Sequence, residues 1–413
     1  VGKVTGLRCP RCTTGYPVEI EGRLCERCRY ILEVEVDLSE LHTKRPDYFL
    51  NRAERSIWRW REFLPIEKEG AIVTLGEGGT PLVPVERLRR DVGGAEVYLK
   101  NDTVLPTGSL KDRSNAVAIS RAIEEGRAVA AVASTGNAAA SVAAYAARAG
   151  LESVVFVPEA TAPEKVVQAA SYGARIVRVQ ADFDGTARVY GQALKAFGWY
   201  SCDSSNPWRN EGKKSYAYEI WADLGGRVPD WIIHPTAGGV GAAACWKGFN
   251  ELYGLGWIDR LPRIAAAQPA ACAPVVRALD AGWDEIRPVE AEQTIAESIR
   301  VGSPSTMAWC ALRAVRESRG TAVALSESEI ERGQVLVARE AGIFAEPAGA
   351  VSFGAAMRLA HEGILRPEHL VVVVITGHGL KQPRTGLALP AAIPPDLRLI
   401  EQALQVRCRT PNT

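Results

Sequence analysis

The chain predicts an α/β fold built on parallel sheets with helices on both faces, preceded by a small four-cysteine ribbon. Two observations carry this. From about Ala95 onward, short β-branched or alanine-rich runs alternate with amphipathic helical stretches. Ahead of them, four of the nine cysteines fall in two knuckles, Cys9-Pro-Arg-Cys12 and Cys25-Glu-Arg-Cys28.

Each knuckle can place two thiolates on one tetrahedral metal ion, and the twelve residues between them allow a closed four-cysteine site. Cys9, Cys12, Cys25 and Cys28 are therefore expected to bind a structural zinc ion. A segment this small cannot bury enough apolar surface to fold alone, so the metal would supply its folding energy. The run Tyr30 to Val36 alternates apolar and charged residues and predicts a strand leaving the ribbon. Residues 40–69, charged and rich in Trp and Arg, read as helical connecting material. The expected strands of the body are Val97–Leu99, Ala128–Val132, Ser153–Val157, Arg175–Val179, Trp231–His234, Ile264–Gln268 and Leu370–Thr376. Helices are expected between them at Ala138–Arg148, Thr186–Phe197, Ser328–Glu340 and Ala350–His361. The tail after Pro390 reads as weakly helical. No internal repeat is present.

Length and composition narrow the function classes. At 413 residues the chain suits two or three lobes rather than one. Lys and Arg number 49 against 48 Asp and Glu, a net charge of +1, which argues against nucleic acid or an anionic membrane as the main partner. The most apolar run, Leu370 to Ile375, is far short of the roughly 20 residues that span a bilayer. The cysteine distribution does not suit a disulfide framework and no secretory signal is read ahead of it, so a cytoplasmic setting is expected. Cys202, Cys245, Cys272, Cys310 and Cys408 read as small hydrophobes.

Ligands of open α/β sheets sit outside the carboxyl ends of strands, and four strand-to-helix turns here are unusual. In PTGSLKDR (106–113), Lys111 stands at a helix entry, where the helix dipole and partial burial lower an amine's pKa. Such a lysine can form a Schiff base with a carbonyl. In ASTGN (133–137), Ser134, Thr135 and the helix-start amides can cradle a carboxylate, or simply cap the helix. The third turn, Pro235 to Gly241, carries glycines that let main-chain amides close on a phosphate. It lacks both the dinucleotide spacing and the P-loop lysine. In TGHGLK (376–381), the Thr376 hydroxyl can hydrogen-bond a ring nitrogen without carrying charge, or merely cap the turn. Pyridoxal phosphate bound to an amino acid needs all four provisions: an amine, a carboxylate cradle, a phosphate cradle and a partner for a ring nitrogen.

With these motifs, together with SSNPWRNEGKKS (204–215) and IFAEPAGA (343–350), the chain from about residue 70 to 385 resembles the threonine synthases. These are fold type II pyridoxal-phosphate enzymes, tryptophan-synthase-β-like, and many also carry a cysteine-rich N-terminal ribbon. The resemblance implies two α/β lobes with parallel-rich sheets. The larger would comprise residues 38–110 and 209–413, the smaller and mobile one 111–208, after a ribbon at 1–37. It implies that Lys111 holds pyridoxal 5'-phosphate and then shuttles protons. Asn137 would contact the cofactor's ring hydroxyl, Gly238, Gly239, Val240 and Gly241 its phosphate, and Thr376 its ring nitrogen. Ser134 and Thr135 would bind the substrate carboxylate and Arg209 the substrate phosphate. The implied reaction converts O-phospho-L-homoserine and water to L-threonine and phosphate, in a homodimer.

Three departures keep alternatives open. The loop Ala237 to Gly241 lacks the side-chain amides that the family often carries, Ser114 stands where the family usually has glycine, and Ser303 replaces an asparagine before Pro304. They leave a β-replacing relative, such as a cysteate-synthase-like enzyme using O-phosphoserine, or a hydroxy-amino-acid dehydratase, as the second reading. His378 is expected to pin its turn rather than to react, and Glu346-Pro347 to start a helix beneath the cofactor with a structural or indirect role.

Overall fold

Each strand expected beyond residue 95 forms, and each lies in a parallel arrangement that brings its carboxyl end to one side of a sheet. The computed structural model describes residues 2–20, 23–44, 46–383 and 391–404. The N-terminal ribbon is a three-stranded antiparallel sheet of β1 (Lys3–Arg8), β2 (Gly15–Tyr16) and β3 (Glu33–Asp37), in the order β2-β1-β3.

The body holds two further sheets. One has six strands: β4 (Leu82–Pro84), β5 (Glu96–Asn101), β10 (Trp231–Pro235), β11 (Arg263–Pro269), β12 (Thr321–Leu325) and β13 (Leu370–Ile375). Their order is β12-β11-β10-β13-β5-β4, parallel throughout except for β4. The other sheet is fully parallel, with β6 (Val129–Ala133), β7 (Glu152–Pro158), β8 (Arg175–Val179) and β9 (Tyr200–Ser201) in the order β8-β7-β6-β9. All six residues of β13 are buried between β10 and β5, as a continuous apolar run in a doubly covered sheet must be.

Two strands of the large sheet were not expected. Thr321–Leu325 contains two alanines that blur the β-branched pattern, and Leu82–Pro84 ends in proline, which only an edge strand tolerates. The helices form close to their expected limits, at Asn137–Ala149, Phe183–Phe197, Glu327–Ala341 and Pro347–His361. A helix at Leu397–Leu404 matches the weak helical pattern of the tail.

The connector at 40–69 is a correction. It forms 3-10 turns at Ser39–Thr43 and Ile57–Trp60 and a four-residue helix at Asp47–Leu50, not extended helices. Aromatic packing decides this rather than helical periodicity. Phe49 stacks on Trp60 at 5.5 Å between centroids and Phe63 packs on Tyr218 at 4.5 Å, so the segment is held by the body.

Charged residues fix the register of the body beneath the strand ends. The fully buried Arg113 binds Asp102 through Nε at 2.9 Å and Glu219 through Nη1 at 2.6 Å. Thr80 joins the cluster through its hydroxyl, and the buried Lys100 pairs with the same Glu219 at 2.8 Å. Asp102 follows β5, Arg113 lies in the helix Lys111–Glu124, and Glu219 lies in the helix Ser215–Asp223. Opening such a buried pair from one side costs about 3–5 kcal/mol, because a bare charge remains.

The ribbon also docks through charge. Arg23 pairs with Glu125 at 3.1 Å and lies over Trp208 at 4.7 Å, while Arg11 pairs with Glu285 at 2.9 Å and lies over Trp309. One small sheet thus clamps two separated parts of the body.

Candidate active site

Sheet order assembles the site. β10, β13 and β5 are neighbours, so the glycine loop, Thr376 and the turn leading to Lys111 emerge side by side from their carboxyl ends. In the other sheet β6 and β9 are neighbours, which sets the 134–137 turn beside the segment carrying Arg209. The 108–110 turn is tied to the end of β13 by main-chain bonds, from Leu110 N to the Thr376 carbonyl at 2.9 Å and from His378 N to the Gly108 carbonyl at 2.9 Å. Asp112 holds the same turn, accepting from the Thr107 amide at 2.7 Å and its hydroxyl at 2.6 Å.

Lys111 starts the helix Lys111–Glu124, as its sequence context indicates. Burial lowers its amine to about 8, Arg209 adds to the fall, and Glu346 pushes against it. Arg209 is itself only 4 % exposed. Its Nε donates to Asn115 Oδ1 at 3.3 Å, and no carboxylate among the described residues pairs with it. Asp203 acts on it through space without pairing, and a buried guanidinium with no direct ion pair is costly, so it has capacity for a further anion.

Two helix starts face open space. The helix Asn137–Ala149 begins at Gly136 and the helix Val240–Gly254 at Gly239, and neither has a side-chain cap. A Cβ at Gly136 or Gly238 would meet nothing within 4 Å, so the amides there can approach a ligand. At Gly239 and Gly241 the missing side chain is required by packing, which leaves their amides available. Gly239 has φ +87° and its Cβ would lie 2.4 Å from the Met307 carbonyl, while a Cβ at Gly241 would strike the His234 ring. Val240 is the first residue of the helix. Ser134 Oγ accepts from the Gly136 amide at 3.3 Å, and the Thr135 hydroxyl has no partner among the described residues. The buried Thr376 hydroxyl likewise makes no hydrogen bond with a described residue.

Asn137 is brought to Glu346 across the two sheets, its amide nitrogen donating to both carboxylate oxygens at 3.1 and 3.0 Å. Glu346 caps the helix Pro347–His361 in position only, accepts from Ser298 Oγ at 3.2 Å, and is pushed up by burial. It therefore reaches further into the site than a simple helix start. The motif IFAEPAGA contained it, but its pairing depends on residue 137 and was not legible locally.

Other residues fall as expected. His378 pins its turn, accepting from Leu380 N at 3.1 Å through Nδ1. Cys202, Cys245, Cys272 and Cys310 are buried, with thiols pushed up by burial, while Cys408 lies outside the described residues. The ring of Trp208 lies under Arg23 and Arg121 and joins the ribbon's core. Lys381, from TGHGLK, binds the Thr107 carbonyl at 3.0 Å and Gln168 Oε1 at 2.6 Å, bridging the two sheets.

Cys9, Cys12, Cys25 and Cys28 bring their sulfurs within 4.8 Å of one another. Individual separations include 3.3 Å for Cys9–Cys28 and 3.5 Å for Cys12–Cys25.

The Lys111 amine is neutral above its pKa and reactive only then, so its acylation rate should rise with pH through about 8 in the cofactor-free protein. Glu346→Gln removes the group that raises this pKa and should move the midpoint down. Arg209→Gln removes a like charge and should move it up. Peptide mass spectrometry of the acylated site reads both, and equal midpoints in all three proteins would contradict the geometry.

A pyridoxal-phosphate dependent enzyme family matches residues 73–377. The chain is 39% identical over 402 residues to the threonine synthase of Methanocaldococcus jannaschii, covering 96% of this chain and 99% of that one. With the threonine synthase of Mycobacterium bovis it shares 38% over 339 residues, 81% of this chain and 91% of that one. Its fold is similar to that of a T.th. threonine deaminase, with TM-score 0.62 and 23% identity over 76% of this chain and 94% of that one. Maize serine racemase shares the fold too, at TM-score 0.63 and 19% identity over 79% and 91%. The chain therefore belongs to the pyridoxal-phosphate dependent enzymes and, among them, to the threonine synthase family.

Proposed function

We propose that the chain is a threonine synthase, converting O-phospho-L-homoserine and water to L-threonine and phosphate by β,γ-elimination and replacement. The observation that carries the reading is the buried Arg209 guanidinium beside Lys111, unpaired among the described residues. A substrate with a phosphate needs such a group, and a plain hydroxy amino acid does not.

The residues fit pyridoxal 5'-phosphate: an amine lowered to about 8, an uncapped helix start before an open glycine, and a neutral hydroxyl free at the end of β13. When bound, the cofactor withdraws electrons from the substrate's amine and so acidifies the neighbouring carbons. Lys111 would hold it and afterwards take and return protons at the substrate carbons, a task suited to an amine with a lowered pKa. The amides of Gly238, Gly239, Val240 and Gly241 would hold the cofactor phosphate, Thr376 its ring nitrogen and Asn137 its ring hydroxyl. A hydroxyl at that nitrogen stays neutral and keeps proton traffic on the substrate. Ser134, Thr135 and the start of the helix Asn137–Ala149 would orient the carboxylate. Arg209 would bind the substrate phosphate and stabilise it as it leaves.

The same reading takes residues 111–208 as a smaller lobe that closes over the cleft to control water, against 38–110 and 209–413. Separate sheets, joined across the site by Asn137–Glu346 and Gln168–Lys381, support it. No helix among the described residues is long and apolar enough to cross a membrane. Cytoplasmic placement and a homodimer belong to the proposal through the family resemblance, and a monomer by light scattering would remove the latter.

For the ribbon at 1–37 we propose zinc. Four thiolates about 2.3 Å from a tetrahedral ion lie about 3.8 Å apart, close to the sulfur spacing here.

Incubation with O-phospho-L-homoserine should release phosphate and threonine in equal amounts. Release from O-phosphoserine alone would overturn the assignment. The purified protein should contain about one zinc per chain, lost with a fall in Tm in Cys25→Ser. A metal-free protein of unchanged Tm would refute the zinc proposal.

A further inference from the structure

The segment SSNPWRNEGKKS contains two adjacent lysines with opposite fates. Lys214 is fully buried and satisfied, pairing with Glu211 and Glu251 at 2.8 Å each. Lys213, one residue earlier, is 4 % exposed and makes no hydrogen bond or ion pair with any described residue. Both lie in the 3-10 turn Gly212–Lys214, where adjacent residues point about 120° apart, so one ammonium serves the frame and the other faces away from it.

What Lys213 faces is the site. Its charged and titratable neighbours are Lys111, Arg209 and His234. The turn that carries it is pressed against the Lys111 helix, since a Cβ at Gly212 would lie 1.9 Å from the Arg113 carbonyl. On its other side His234 lies directly under Gly241 of the glycine loop. That imidazole contacts the Pro235 carbonyl through Nδ1 at 2.8 Å, leaving Nε2 buried without a partner. Burial and the charges of Lys213 and Lys111 hold His234 at about 3, so it stays neutral and provides no counter-charge. Three basic groups therefore meet in a buried space, with Glu346 the carboxylate opposing Lys111 and Asp203 the one acting on Arg209. Burial, Lys111 and Arg209 push the Lys213 amine well below its ordinary value, so an anion seated beside it restores its charge. Neither carboxylate figures among the groups acting on Lys213.

We propose that Lys213 and Arg209 together form the seat for the phosphoryl group of the substrate, Arg209 as the planar fork and Lys213 as the point charge. The proposal rests on the threonine synthase reading in that the occupant is a phosphate monoester dianion. A dianion matches two unpaired cations, and a neutral hydroxyl leaves both uncompensated. Lys213 is then a determinant of specificity for phosphorylated over hydroxy amino acids. The side chains of the glycine loop, Ala237 to Gly241, offer no donors, so a second positive group has a defined task.

The test compares wild-type holoenzyme with Lys213→Met and Lys213→Arg. In Lys213→Met, KM for O-phospho-L-homoserine and the inhibition constant of inorganic phosphate should both rise roughly tenfold or more, the worth of one charge-assisted contact. The cofactor dissociation constant, read by absorbance titration, should change less than about twofold, and Lys213→Arg should restore most of the phosphate affinity. Unchanged KM and inhibition constant would overturn the proposal. So would weakened cofactor binding with phosphate inhibition intact, which would assign Lys213 to the cofactor's phosphate. In the wild-type holoenzyme, inorganic phosphate should also protect Lys213 from acylation, a readout independent of how the variants fold. The phosphate arms use no amino-acid substrate. A chain that acted on O-phosphoserine instead would therefore refute the function while leaving the seat intact.

Discussion

The buried ion pairs of Arg113 join the helix that carries Lys111 to two other parts of the body. This guanidinium, two residues beyond Lys111, satisfies Asp102 after β5 and Glu219 in the helix Ser215–Asp223 at once. It fixes the start of the Lys111 helix relative to both the central sheet and the segment that follows Arg209. Lys100 shares Glu219 and the Thr80 carbonyl, so the cluster is dense in hydrogen bonds as well as in charge. Burying so many charges is favourable only when every one is compensated. Here they are, and the geometry of the helix start is correspondingly rigid.

Directly above this balanced frame lies a region that is not balanced. Arg209 and Lys213 are nearly as buried as Arg113 but form no ion pair with a carboxylate among the described residues, Asp203 acting on Arg209 only through space. The contrast separates structure from function within one patch of cations. Positive charge that holds the fold is neutralised by the fold, and the positive charge proposed to hold a ligand makes no ion pair within it. The helix starts at Gly136 and Gly239 add partial positive charge without titrating. Against that background a lysine amine near neutrality is a physical consequence of its surroundings.

Much of this was legible in the sequence because it is local. Lys111, Ser134, the glycine loop and Thr376 stand on strand-to-helix turns, and alternating strands and helices bring such turns together. The cysteine knuckles declare themselves by spacing alone. What was not legible depends on distance along the chain. Asn137 meets Glu346 across 209 positions, and Arg209 meets Asn115 across 94. Lys213 and Lys214 are identical in sequence terms, and only burial with Glu211 and Glu251 tells them apart. The connector at 40–69 misled for a related reason. Its aromatic residues answer to Tyr218 in the body rather than to a helical period of their own.

Among several amines in this pocket, Lys111 is set apart by its position at the helix start, and it is the one proposed to carry the cofactor. Borohydride reduction of the holoenzyme followed by peptide mapping tests it most directly. A pyridoxyl group is expected on Lys111 alone. A pyridoxyl group on Lys213 or Lys381 would contradict it.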